Sequence, residues 1–63
     1  MDKKVFELTQ EELDVIATYM NDDIRENVAF DLAPCTPGDF LREYVNRHEH
    51  FDLLLKSEFG IEM

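Results

Sequence analysis

Apolar residues recur in the first half of the chain at spacings of three and four, which is the pattern of an amphipathic helix. The clearest stripe consists of Leu13, Ile16, Ala17 and Met20. Thr9 and Glu12 precede it at the spacing of a capping box, in which each side chain bonds the backbone N–H of the other residue. We therefore expect a helix that begins after Thr9, with Leu8 and Leu13 packed against each other at its start.

The same stripe continues in phase to Leu32, so one bent helix over about 10–33 fits the pattern. The segment Asn21-Asp22-Asp23, however, contains poor helix formers that are good N-caps. A second capping box from Asp23 to Glu26 could start a new helix there. We favour two helices that meet near Asn21, because so short a chain needs a turn to close a core.

A proline-containing segment separates this region from a third predicted helix. Pro34 disfavours helical geometry at the residue before it, so the chain should break there. Thr36 suits the N-cap and Pro37 suits the first helical position, where its missing N–H costs nothing. We expect a helix over about 37–47 whose inward side chains are Phe40, Leu41, Tyr44 and Val45.

The polar segment His48-Glu49-His50 precedes a last helix. We expect both histidines to face solvent, with His48 paired to Asp52 one helical turn later. The inward side chains of this helix are predicted to be Phe51, Leu54, Leu55 and Phe59. Gly60 suits the left-handed residue that ends a helix, with Ile61 making the hydrophobic contact that follows.

The N-terminal segment Val5-Phe6-Glu7-Leu8 is β-prone, but no second strand signal appears elsewhere. We therefore expect an extended lead-in that packs Phe6 and Leu8 on the core. The predicted fold class is all-α: a compact single domain over residues 1–63, with three or four helices and this short extended N-terminal lead-in.

The charge balance narrows the kinds of partner. Fifteen Asp and Glu against six Lys and Arg give a formal net charge of −9. Phosphate contacts need clustered Lys and Arg, so we expect no direct binding to nucleic acid or to an anionic membrane surface. The longest apolar run, Leu53-Leu54-Leu55, is far short of the roughly 20 residues of a membrane span. A basic protein partner is the natural complement, although acidity can also serve solubility alone.

The residues that could carry chemistry do not form a recognisable set. Cys35 precedes a predicted helix N-terminus, which can make a thiol reactive, but nucleophilic catalysis also needs an oriented base. We interpret it as a small buried apolar residue. His48 and His50 would point apart on a helix, which disfavours a shared metal. We expect no enzyme activity, metal or cofactor, and a single cysteine without a signal peptide favours a cytoplasmic protein.

Two groups of residues are candidates for binding a partner. On a continuous helix, one row would contain Glu11, Asp14, Thr18 and Asp22. Successive members would lie about 5–6 Å apart, similar to phosphates along a nucleic-acid strand. We define the acidic surface as Glu11, Asp14, Asp22, Asp23 and Glu26. The chain also has more aromatic surface than a small core easily hides, which predicts a homodimer or an apolar patch. The apolar candidates are Phe6, Tyr19, Phe30 and Phe59.

Three segments carry a resemblance to known proteins. Ile24-Arg25-Glu26, Leu32-Ala33-Pro34-Cys35-Thr36-Pro37 and Asp39-Phe40-Leu41 resemble small acidic proteins encoded on bacterial phages and integrated mobile elements. The resemblance covers about half of the chain. In composition alone, the chain is also similar to mobile-element proteins that inhibit host defence nucleases by imitating DNA.

Two hypotheses of function follow. The first is a non-enzymatic interaction protein that inhibits or modulates a basic, nucleic-acid-binding partner such as a host nuclease. Its sharpest form is an anti-restriction or anti-CRISPR inhibitor. The alternative is a structural or assembly module, either a small helical homodimer or a subunit of a larger complex.

Overall fold

The structure is a computed structural model that describes residues 3–32 and 35–63. Its elements in chain order are strand β1 (Lys3–Lys4), a 3₁₀ turn (Val5–Glu7), helices α1 (Gln10–Ala17), α2 (Asp22–Leu32), α3 (Pro37–Arg47) and α4 (Phe51–Leu54), a π-helical turn (Leu55–Phe59), and strand β2 (Ile61–Glu62). The predicted all-α fold is confirmed, with four helices in the described part of the chain. The expected break at Ala33 and Pro34 lies outside the described residues.

Helix α1 begins at the predicted capping box. The Glu12 N–H donates to Thr9 Oγ1 at 3.2 Å, and the Thr9 N–H donates to the Glu12 carboxylate at 3.0 Å. Leu8 and Leu13, on either side of this cap, are both buried in the core. The helix therefore starts where local hydrogen bonding and apolar packing agree.

The boundary between α1 and α2 confirms the two-helix prediction. The predicted capping box from Asp23 to Glu26 is wrong, because Asp23 already lies within α2. Asn21 caps the helix instead, and its Oδ1 accepts a hydrogen bond from the Ile24 N–H at 3.1 Å. The backbone N–H of Asn21 donates to the hydroxyl of Tyr44 at 2.7 Å, so α3 fixes the position of the bend.

The lead-in differs from the prediction in which side chains it buries. Val5 and Leu8 enter the core, whereas Phe6 is 76% exposed. The reason is the 3₁₀ turn, in which residues three apart lie on the same side. An extended segment would instead have put residues two apart, Phe6 and Leu8, on one side.

The prediction that the N-terminal segment has no strand to pair with is also wrong. Strand β1 pairs in parallel with β2, with Lys3 opposite Ile61, and the Lys3 N–H donates to the Gly60 carbonyl at 2.9 Å. Gly60 adopts the predicted left-handed conformation, with φ of 64°. It ends the π-helical turn and directs Ile61 into the core, where only 4% of that residue is exposed.

The core draws on every helix of the described chain. It consists of Val5, Leu8, Leu13, Ile16, Met20, Val28, Leu41, Tyr44, Phe51, Leu55 and Ile61. The other side chains that were predicted to face inward from the helices, among them Phe40, Val45, Leu54 and Phe59, pack against its edge. No helix within residues 3–32 or 35–63 has the length and apolar character needed to cross a membrane.

Helix α3 has the predicted bounds and packs against α2 and the 3₁₀ turn. Thr36 caps it, accepting from the Asp39 N–H at 3.2 Å, with Pro37 in the first turn. Arg47 at its last turn lies 2.8 Å from Asp31 on α2 and 2.9 Å from Glu43 on its own helix. The hydrogen bonds that the Arg47 guanidinium donates to Glu43 and to Asp31 raise the pKa of Arg47 above its ordinary value.

Tyr44 organises the junction with α4. Its ring packs edge-on against Phe51, with centroids 4.7 Å apart, and its hydroxyl hydrogen-bonds His48 Nδ1 at 2.8 Å. The predicted pairing of His48 with Asp52 is therefore wrong. His48 is half-buried and stacks on Phe51, while His50 is exposed, as expected.

Candidate partner-binding surface

All five residues of the acidic surface are exposed. Glu11 and Asp14 lie on α1, one helical turn apart, and the remaining three lie in the first half of α2. Acidic side chains in the first turn of a helix are favourable, because they complement the positive end of the helix dipole. Asp22 and Asp23, which lie in the first turn of α2, are thus locally stabilised as well as accessible.

The acidic row was predicted on one continuous helix. This prediction is wrong, because α1 ends at Ala17 and Asp22 belongs to a different helix. The bend nevertheless brings the two helices together. Asp14, Thr18 and Asp22 line one shallow depression of about 300 Å³ together with Ala17 and Arg25. Acids from α1 and α2 therefore meet at one exposed site.

Arg25 neutralises part of the acidic surface. Its Nη2 lies 3.2 Å from Asp22 Oδ1, which leaves the other four carboxylates without an ion pair among the described residues. Asp14 accepts a hydrogen bond from Gln10 Nε2 at 2.9 Å, which orients that carboxylate without removing its charge. The surface therefore keeps most of its negative charge for an external partner.

Glu12 differs from its neighbours on α1 because it is occupied within the fold. Hydrogen bonds from the Lys3 ammonium and from the backbone and hydroxyl of Thr9 lower the pKa of Glu12 from 4.5 to about 2. This carboxylate ties the N-terminal lead-in to α1. We therefore assign it to the scaffold and not to the partner-binding surface.

The candidate aromatic residues are exposed to different degrees. The exposed fractions are 76% for Phe6, 55% for Tyr19 and 88% for Phe30, whereas Phe59 is half-buried. Tyr19 and Phe59 pack edge to face with centroids 5.5 Å apart. Phe6 lies in the 3₁₀ turn and Phe30 on α2, apart from this pair in sequence. The predicted homodimer remains a prediction.

Sequence reasoning missed Val15, which is 56% exposed. It lines a depression of about 210 Å³ together with Lys3, Glu12, Ile16, Phe59 and Ile61. The signal that could have found Val15 is its position. It is an apolar residue outside the buried stripe of α1, and it lies four positions before Tyr19. Side chains at that spacing share one face of a helix.

A further groove lies between α1, α2 and the start of α3 and has a volume of about 380 Å³. Asp14, Arg25, Cys35 and Thr36 are among its lining residues, and none of the residues that line it is a histidine. Cys35 is exposed, so the prediction of a buried apolar cysteine is wrong. Within the described ranges, no three His, Cys, Asp or Glu side chains are arranged to hold a metal ion.

A comparison with protein families identifies the chain. The family model for the anti-CRISPR protein AcrIC5 matches residues 9–51, which is more than half of the sequence. The chain belongs to the anti-CRISPR AcrIC5 family. The matched span begins at the N-cap of α1 and ends at the first residue of α4. Searches of the curated proteins and of the solved structures give no match.

Membership of the anti-CRISPR AcrIC5 family agrees with the predicted resemblance to phage and mobile-element proteins. It supports an inhibitor of CRISPR machinery rather than an enzyme, and it implies a CRISPR–Cas protein complex as the partner. The span matched to anti-CRISPR AcrIC5 contains the whole acidic surface, whereas Phe6 and Phe59 lie outside it.

Proposed function

We propose that the chain inhibits a CRISPR–Cas complex by placing its acidic surface on a basic surface that otherwise holds nucleic acid. The observation that carries this proposal is the meeting of acids from α1 and α2 at one exposed bend, in a chain of the anti-CRISPR AcrIC5 family. The site of action would be the cytoplasm of the bacterial host, where such complexes encounter nucleic acid.

The proposal rests on charge complementarity. A groove that binds nucleic acid presents Lys and Arg to a regular row of phosphates. Acidic residues one helical turn apart, such as Glu11 and Asp14, have Cβ atoms about 5–6 Å apart, a spacing that such a groove can accept. A protein with a net charge of −9 would also be attracted to this groove over a distance, which speeds association.

The acidic surface is held in place by hydrogen bonds within the fold. The capping box at Thr9 fixes the start of α1, and Asn21 caps α2 at the bend. Tyr44 fixes the same bend from α3 through the Asn21 N–H. A surface that is already ordered loses less conformational entropy on binding, so more of the electrostatic attraction remains as affinity.

The test is a triple variant, Glu11→Gln, Asp14→Asn and Asp22→Asn, measured against the purified CRISPR effector complex of a bacterial strain in which the wild-type chain blocks CRISPR interference. We expect binding to weaken about tenfold or more at low salt, and the difference to shrink as salt screens the charges. Competition with target DNA should weaken in parallel.

A matched control removes three negative charges elsewhere. Glu49, Asp52 and Glu58 are exposed and lie in the turn before α4, on α4 and in the π-helical turn, respectively. The variant Glu49→Gln, Asp52→Asn and Glu58→Gln has the same net charge as the test variant and should bind like wild type. If the test variant binds as tightly as wild type at low and at high salt, the acidic surface is not the binding surface.

The exposed rings of Phe6 and Phe30 favour the alternative hypothesis, a homodimer or assembly module. Association through these rings would hide apolar surface that the core leaves open. Sedimentation of the chain by itself tests this alternative. A monomer at every concentration would remove the homodimer, and a dimer lost on Phe30→Ser would support it.

A further inference from the structure

An apolar patch lies beside the acidic surface and consists of Val15, Tyr19 and Phe59. Val15, on α1, is 56% exposed, and Tyr19, in the turn that follows α1, is 55% exposed. The ring of Phe59 meets Tyr19 edge to face, with an angle of 77° between the ring planes. Contact between aromatic rings in this geometry is favourable, so the patch has a defined shape.

The patch borders the depression of about 210 Å³, whose deepest lining residues are Ile16 and Ile61, 1% and 4% exposed. Its two charged lining residues, Lys3 and Glu12, are paired with each other. The free surface that the depression offers is therefore mainly apolar.

The volume of the depression limits what can enter it. Pockets for small molecules are usually about 300–1,000 Å³, so this one is too small for most ligands. An apolar cavity of about 150 Å³ in another protein accommodates benzene. A depression of about 210 Å³ therefore suits one large apolar side chain.

The patch and the acidic surface share the outward side of α1. On a helix with about 3.6 residues per turn, Glu11 projects between Asp14 and Val15, roughly 60° from the first and 40° from the second. A partner that presents a cation to Glu11 therefore also reaches Val15. Val15 and the two acids of α1 are therefore neighbouring parts of one helix surface.

We infer that the depression at Val15 receives one large apolar side chain from the basic partner, on a segment that also presents Lys or Arg to Glu11 and Asp14. This inference rests on the proposed function and specifies its partner. A second copy fits less well, because it would bring together two chains that each carry a net charge of −9.

The two parts of this face make different contributions to binding. Surface charges mainly accelerate association and lose effect in salt. An apolar side chain buried at the centre of an interface mainly slows dissociation, and its contribution is much less sensitive to salt. The wild-type complex should therefore retain measurable affinity at salt concentrations that remove the electrostatic attraction.

The experiment uses Val15→Gln, which keeps a good helix former while making the wall of the depression polar. The control is Leu53→Gln on α4, where Leu53 is 60% exposed and takes no part in the depression. Binding to the same purified CRISPR effector complex is measured at low and high salt. We expect Val15→Gln to raise the dissociation constant about tenfold at both, and Leu53→Gln to leave it unchanged.

Comparison with the acidic triple variant separates this inference from the proposed function. If Val15→Gln and Leu53→Gln both bind like wild type while the triple variant weakens, the inference is overturned and the proposed function stands. If only Val15→Gln weakens, the apolar contact stands, whereas the proposed function and the placing of Lys or Arg at Glu11 and Asp14 are overturned. Concentration-dependent self-association of the wild-type chain that Val15→Gln abolishes would assign the depression to a second copy and overturn the inference. Circular dichroism confirms that each variant is folded.

Discussion

Replacing Tyr44 with Phe removes a single oxygen atom from the centre of the molecule. The residue is completely buried, and its hydroxyl accepts the Asn21 N–H at 2.7 Å and hydrogen-bonds His48 Nδ1 at 2.8 Å. Phe keeps the ring, so the packing against Phe51 at 4.7 Å should survive. The substitution therefore isolates the hydrogen bonds from the much larger cost of a cavity.

The expected loss follows from what the missing oxygen leaves behind. An unsatisfied buried polar group costs about 1–3 kcal/mol, and the Asn21 N–H, at an exposed bend, should fall at the lower end because water can partly replace the hydroxyl. A loss of about 1–2 kcal/mol would lower the melting temperature of a domain of this size by roughly 4–16 °C. Total stability at this length is only about 3–9 kcal/mol, so the effect is easy to detect.

Thermal melts followed by circular dichroism measure this loss, with Tyr19→Phe as the control. Tyr19 is 55% exposed, and its hydroxyl makes no hydrogen bond within residues 3–32 and 35–63, so its removal should change little. Hydrogen exchange of the Asn21 amide should become faster in Tyr44→Phe, because the bend loses its acceptor. Equal melting temperatures for wild type, Tyr19→Phe and Tyr44→Phe would refute the view that Tyr44 holds the bend.

Two further predictions concern the lead-in. Gly38→Ala should lower the melting temperature although Ala is the better helix former. The reason is that the added Cβ would lie 2.5 Å from the backbone carbonyl oxygen of Val5. An unchanged or raised melting temperature would show that the 3₁₀ turn moves away freely. The second concerns Glu12, whose pKa is about 2 in the folded chain, below its ordinary value of 4.5. Its stabilising effect should be complete above pH 4.5 and be lost as pH falls through about 2, because protonation breaks its bonds to Lys3 and Thr9. Glu12→Gln should therefore lose less stability than wild type between these pH values, and identical acid-unfolding curves would contradict this assignment.

Several features of the fold could be predicted because they depend on residues close together in the chain. The capping box at Thr9, the cap at Thr36 and the left-handed Gly60 each join groups within a few residues. The bounds of α3 followed from such signals, as did the core positions of Leu41 and Tyr44. Backbone preferences and neighbouring hydrogen bonds act in any tertiary context that tolerates them.

The candidate site was predictable only in its composition. Charge and polarity were enough to expect that Glu11, Asp14 and the acids of α2 are exposed. Their meeting was expected from one continuous helix, whereas the structure achieves it by a bend that Tyr44 stabilises from α3. The depression at Val15 was missed because one of its walls, Phe59, comes from the other end of the chain.

Only the tertiary structure decided the features that join distant segments. Strand β1 has a partner because β2 lies beside it, although two residues are too few to give a strand pattern in the sequence. Phe6 is exposed because the lead-in forms a 3₁₀ turn, and this turn packs closely against Gly38 at the backbone of Val5. In each case the deciding contact joins residues more than thirty positions apart. Local periodicity and capping signals carry no information about such contacts, because they arise when apolar packing brings separate elements together.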